Sequence, residues 1–125
     1  MNSDDLRHKS EEWERAGIES ELGLWWLVSD IKELLATANK EEILAVTLDL
    51  LKPLLVGRKL IPVEFNEKGE YTLWNDEPEA AFRKIRDQLS ELGRLPDIGD
   101  ICMFIAPGHD LVKSHLNTQV KSSKA

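Results

Sequence analysis

The chain has 125 residues, of which 42% are hydrophobic and 31% charged, and it carries a net charge of −7. That is the size of one domain able to bury its own core, and the composition excludes a wholly disordered chain. The longest apolar run, Leu22 to Val28, falls far short of the roughly 20 residues of a membrane span, and the single cysteine, Cys102, excludes an internal disulfide or a multi-cysteine zinc site.

Residues 1–22 read as a polar N-terminal arm, acidic overall, with Trp13 and Ile18 as its main apolar positions. A short helix over Asp4 to Arg15, ended near Gly17, is the most that its thin apolar stripe supports. The polar start at Met1 to Asp5 resembles neither a secretory signal nor a transit peptide, so the expected location is the cytoplasm. A globular domain is expected over 23–106. Leu24, Leu27, Ile31, Leu34 and Leu35 lie at helical spacing and predict a helix from Leu24 to Ala36. Asn39 or Thr37 is placed to cap a second helix, and Glu41 and Glu42 suit the positive end of its dipole. Ile43, Val46, Leu50, Leu51 and Leu54 give that helix one apolar face, running to about 56. Pro53 predicts a kink near Asp49 or a break into a short last turn. Gly57 is a suitable stop.

Leu60, Ile61, Val63 and Phe65 predict a strand with Pro62 near a sheet edge. After the turn cluster Asn66 to Glu70, Tyr71 to Trp74 predicts its hairpin partner. Asp76 is the expected N-cap of the next helix, with Glu79 three residues on in a capping-box pattern. Phe82, Ile85, Leu89 and Leu92 form its apolar stripe, and Gly93 closes it. Ile101 to Ile105 predicts a buried strand. Residues 107–125 read as a weakly structured, basic tail. The expected fold class is α+β.

The order helix 24–36, helix 40–56, glycine and two-stranded wing 59–74 resembles the core of a winged-helix domain. The residues that carry the likeness are Leu51, Leu54, Leu55, Gly57, Leu60 and Ile61. A wider resemblance rests on Trp25-Trp26, the stretch from Thr47 to Leu60, Trp74-Asn75-Asp76-Glu77-Pro78-Glu79-Ala80, and Leu92-Gly93-Arg94 with Pro96, Ile98-Gly99-Asp100-Ile101 and Phe104. Through these the chain resembles a family of small bacterial α/β proteins. Its size and acidity also resemble those of toxin-immunity proteins, including those of contact-dependent growth inhibition systems. That resemblance implies binding to a protein toxin and no turnover.

No catalytic motif is present. His109 beside Asp110, with Ser114 and His115 nearby, is the best imidazole candidate for catalysis; a solvated loop histidine is the plainer reading. The spacing of His109 and His115 suits no zinc pair. Cys102 sits among apolar residues and reads as an inert core thiol. No cofactor and no metal are expected. The acids either make an ordinary solvated surface or form a face that meets a basic protein. On the second reading, Asp76, Glu77, Glu79, Asp97 and Asp100 bind the partner, with Trp74 as an apolar anchor. The partner would be basic, a nuclease toxin for example. Trp25 and Trp26, about 100° apart on one helix, predict one inward side chain and one at a boundary. Trp13 is read either as the arm's docking residue or as a partner contact. The alternative function is a DNA-binding winged-helix regulator using Arg58, Lys59 and Lys68. Glu41, Glu42 and Asp49 on the reading helix would repel phosphates, so nucleic acid is the weaker expectation.

Overall fold

The apolar spacing that predicts the second helix is realised over Lys40–Val56, and the first spans Leu24–Leu35. A computed structural model describes residues 3–65, 70–98 and 100–110. The elements in chain order are α1 (Ser3–Glu19), β1 (Leu22–Gly23), α2 (Leu24–Leu35), α3 (Lys40–Val56), β2 (Ile61–Phe65), β3 (Tyr71–Leu73), α4 (Pro78–Leu92) and β4 (Met103–Ile105). The class is α+β: four helices and a small antiparallel sheet of order β1-β4-β2-β3. Lys68, Ser114, His115 and the tail from 111 onward lie outside the described residues.

The described part of the expected arm is docked on the domain. Ser3–Glu19 is a seventeen-residue helix and Leu22–Gly23 a short strand. Trp13 is 2% exposed in the main core, and its indole Nε1 donates to Asp30 Oδ2 at 2.9 Å. Burying so large a side chain stabilises by more than the ~1.5–3 kcal/mol typical of a buried leucine or phenylalanine. Gly17 lets α1 approach the end of β4. A Cβ there would meet the Ala106 amide nitrogen and the Leu60 side chain, each at 3.0 Å. Across that gap the Ala106 N–H donates to the Gly17 carbonyl at 2.9 Å.

The Asn39 side chain accepts from the Glu42 N–H at 3.0 Å, which is the expected N-cap of α3. The expected break at Pro53 is absent, and α3 runs through it to Val56. Pro53 and Asp49 are both exposed, so water can serve the carbonyl that the missing N–H leaves open. α3 packs against α1, α2 and α4. Its Thr47 is buried because its hydroxyl donates to the Ile43 carbonyl at 2.7 Å.

The sheet has two apolar faces. Leu22 and Phe104 join the helical core. Val63 and Ile105 are fully buried on the other face, with Ile61, Tyr71, Leu73 and Met103 around them. Pro62 is not at an edge, because β2 lies between β4 and β3. Its carbonyl accepts from the Trp74 N–H at 3.0 Å, so its nitrogen faces the end of β3 and the β2–β4 ladder loses nothing.

Candidate partner-binding surface

The acids singled out in the sequence fall into two groups at opposite ends of α4. That helix has fifteen residues, or about 22 Å at 1.5 Å per residue. Asp76, Glu77 and Glu79 lie at its N-terminal end, whereas Asp97 and Asp100 lie beyond its C-terminal end. The five do not form one patch.

At the N-terminal end, the expected capping box is not formed. Pro78 occupies the first helical turn and shifts the N-cap to Glu77, whose side chain makes no capping bond. The carboxylates are therefore turned to solvent rather than to the helix. Asp76, Glu77 and Glu79 are all exposed. Glu77 Oε2 stands 3.7 Å from Arg58 Nη2, a contact with both side chains largely in water and of small energetic value. Trp74 is half-buried against the core, with Lys84 Nζ 4.0 Å from its ring centroid. Its buried Nε1–H has no acceptor among the described residues. A cleft of about 430 Å³ opens beside it, walled by Leu55, Ile61, Pro62, Leu73, Trp74 and Pro78.

Beyond the C-terminal end, α4 stops at Gly93, which takes a left-handed φ of 71°. The following loop is held by its own carboxylates. Asp100 Oδ2 accepts from the Asp97 N–H at 2.7 Å and from Arg94 Nη1 at 2.9 Å. Asp97 Oδ1 accepts from the Ile98 N–H at 2.8 Å. The Asp97 amide, with Arg94 beside it, holds the Asp100 carboxyl below the usual carboxylate range. Asp100 therefore serves the loop, and Asp97 divides its carboxylate between loop and solvent.

What this loop presents is Ile98, 74% exposed. Ile98 lies on the rim of a cavity of about 520 Å³ that also includes Trp25, Tyr71, Ile101, Met103 and Glu64. Ile101 holds a φ of 67°. That region costs a β-branched residue roughly 1–3 kcal/mol and marks a backbone held by its surroundings. Cys102 lies at the base of this cavity. It is a free, buried cysteine whose thiol is pushed far up by desolvation, in keeping with an inert core residue.

Neither Trp25 nor Trp26 points into the core. Trp25 is half-buried and folds back over Gly23, where any Cβ would collide with its indole. Trp26 is 44% exposed, with its ring 6.1 Å from that of Trp25. The positions that α2 buries are Leu24, Leu27, Val28 and Ile31. Sequence reasoning missed Ile98, whose signal was a lone large aliphatic between Asp97 and Asp100. It also missed the exposure of Trp26, which follows from its place opposite the Leu27–Ile31 stripe.

His109 is buried beside Glu21, Nε2 to Oε1 3.7 Å, and is not a solvated loop histidine. Among the described residues no three His, Cys, Asp or Glu side chains gather as a metal site, and no helix is long and apolar enough to cross a membrane. No protein-family model, no curated protein and no solved structure matches this chain.

Proposed function

We propose that this protein is a non-enzymatic protein-binding module: a cytoplasmic immunity protein that neutralises a basic toxin, of the nuclease class, by covering its active surface. The observation that carries the reading is the Ile98 loop. A large aliphatic side chain stands in water on a backbone fixed by Asp97 and Asp100, next to an aromatic pair and an open cavity. Rigid apolar anchors of this kind lose little entropy on binding, and tryptophan is enriched where binding energy concentrates. The exposed Asp97 and Glu64 set an acidic rim around them. A basic partner would be drawn in by the net charge of −7 and held by burial of Ile98 and Trp26. Inhibition would be steric, with no bond made or broken.

The test is an affinity pull-down from native cell lysate with the wild-type chain and with Ile98→Glu. One basic protein recovered at near-equal amount by the wild type, and lost with the variant, supports the reading. Recovery of the same proteins by both chains overturns the surface assignment, and recovery of no basic protein overturns the function.

A second reading, the winged-helix DNA-binding regulator, draws on the unbroken order α2, α3, β2, β3. The exposed residues of α3 include Glu41, Glu42 and Asp49 against Lys52, which is poor chemistry for a phosphate backbone. A duplex shift at low salt that disappears in Arg58→Glu with Lys59→Glu would revive it.

A further inference from the structure

We propose that β3 accepts an extended basic segment as an added strand, centred on Leu73, which lines the Trp74 cleft and not the Ile98 cavity that Tyr71 borders. The inference rests on the reading that the partner is basic and on an independent set of observations. β3 is an edge of the sheet among the described residues. The Trp74 N–H bonds inward to the Pro62 carbonyl, and Val63 pairs with Leu73. In an antiparallel ladder these groups alternate, so the Leu73 N–H and C=O point outward, away from β2. No described residue bonds to either of them.

Natural sheets usually guard such an edge with lysine, proline or a bulge. β3 has none of these, and its sequence is Tyr71-Thr72-Leu73. The charges at its two ends are Glu70 before it and Asp76 and Glu77 after it. This pattern selects the occupant. A second copy paired along β3 would bring like charges together, which is unfavourable. A segment that alternates Lys or Arg with apolar residues fits instead. Its cations reach the exposed Asp76, Glu77 and Glu79; among the described residues Arg58 stands near Glu77, and the Lys84 ammonium is taken up by the Trp74 ring. One apolar side chain enters the cleft beside Leu73, Trp74 and Pro62. Main-chain bonds to Leu73 give affinity, and the cleft and carboxylates give selectivity.

The test uses the full chain and two synthetic peptides of equal charge. One alternates lysine and valine; the other has proline in place of each valine and cannot add as a strand. Binding is followed by NMR titration, with hydrogen exchange read at the Leu73 amide. The expected result is that only the alternating peptide protects Leu73. Leu73→Pro should weaken that peptide roughly tenfold, the effect of about one lost hydrogen bond. Asp76→Lys with Glu77→Lys and Glu79→Lys should weaken it and flatten its salt dependence. Ile98→Glu should leave the Leu73 protection in place, which separates this inference from the proposed Ile98 surface. Equal binding of both peptides means charge alone and overturns the proposal. So does binding of the alternating peptide without Leu73 protection, or no binding at all. If Leu73→Pro fails to fold, the Leu73 protection in the wild-type chain and the triple charge reversal still decide.

Discussion

The two ends of α4 use the same chemistry in opposite ways. At the C-terminal end the carboxylates turn inward on their own loop, and an isoleucine is left in water. At the N-terminal end the carboxylates are left in water, and the tryptophan is half-buried. Asp100 has a backbone amide and a guanidinium within hydrogen-bond reach. Asp76 and Glu79 have no described partner, because the helix start at Pro78 takes away the capping role. An acidic residue in a loop is thus a poor guide to a binding surface until its hydrogen bonds are known. The acids beyond the C-terminal end bond to their own loop, and the acids at the N-terminal end are left exposed to solvent.

The largest test of that contrast is binding to the basic protein that the proposed function calls for. Ile98→Glu should weaken it about 30-fold or more, as for a truncated hot spot, while Asp76→Lys should change it only a few-fold, mainly through the on-rate. Titration calorimetry and stopped-flow kinetics separate the two effects. Equal losses would merge the two ends into one interface.

Next come the two tryptophans that differ in their indole N–H. Trp13→Phe removes a hydrogen bond to the Asp30 carboxylate, costing about 1.5–3 kcal/mol beyond the lost packing. Trp74→Phe removes an N–H that has no acceptor among the described residues, so it should cost at least about 1 kcal/mol less. Chemical denaturation of the two variants gives the difference directly.

A smaller effect is expected within the acids themselves. Asp100→Asn should speed hydrogen exchange at the Asp97 amide and change the Trp25 environment. Asp76→Asn should leave both alone and shift stability by less than about 0.5 kcal/mol, as for most surface changes. If Asp100→Asn leaves the Asp97 amide as protected as before, the loop is held by something other than its carboxylates.

The smallest effect is with pH. The Asp100 carboxyl is held below the ordinary carboxylate range. Its contribution is therefore complete above the pKa of an unfolded aspartate, and it fades as pH falls through the lower folded value. Carbon-detected titration should show Asp100 protonating below a normal aspartate. An ordinary or raised midpoint would deny the bonds from Asp97 and Arg94.

Much of the fold is legible in the sequence, for local reasons. α3 is readable because its cap, its acidic first turn and its apolar stripe all agree. The hairpin β2–β3 and the helix α4 are readable in the same way, from turn residues and periodicity. What fails depends on partners distant in the chain. β1 has two residues and exists only because β4 lies beside it. The docking of α1 depends on Gly17 meeting Ala106, and no pattern within residues 1–22 announces that. Pro62 reads as an edge residue because its harmless orientation depends on where β3 ends. The site is less legible still. Acidic residue types are visible in a sequence, but their division between loop scaffold and open surface depends on a helix start moved by one residue. Ile98 stands out only once its loop is known to have no core to cover it.

The place of β4 bears on how the chain is made. β4 is the last strand among the described residues, yet it sits between β1 and β2 and also ties to α1 through Gly17. Domains emerge from the ribosome N-terminus first. α1 and β1 must therefore wait, with Trp13 and Leu22 uncovered, until Met103–Ile105 has been synthesised. Only then can the sheet close around its centre. Contacts this distant in sequence slow folding, so the hairpin and α3 are the natural early structure, and the nascent chain is most open to chaperones just before β4 appears.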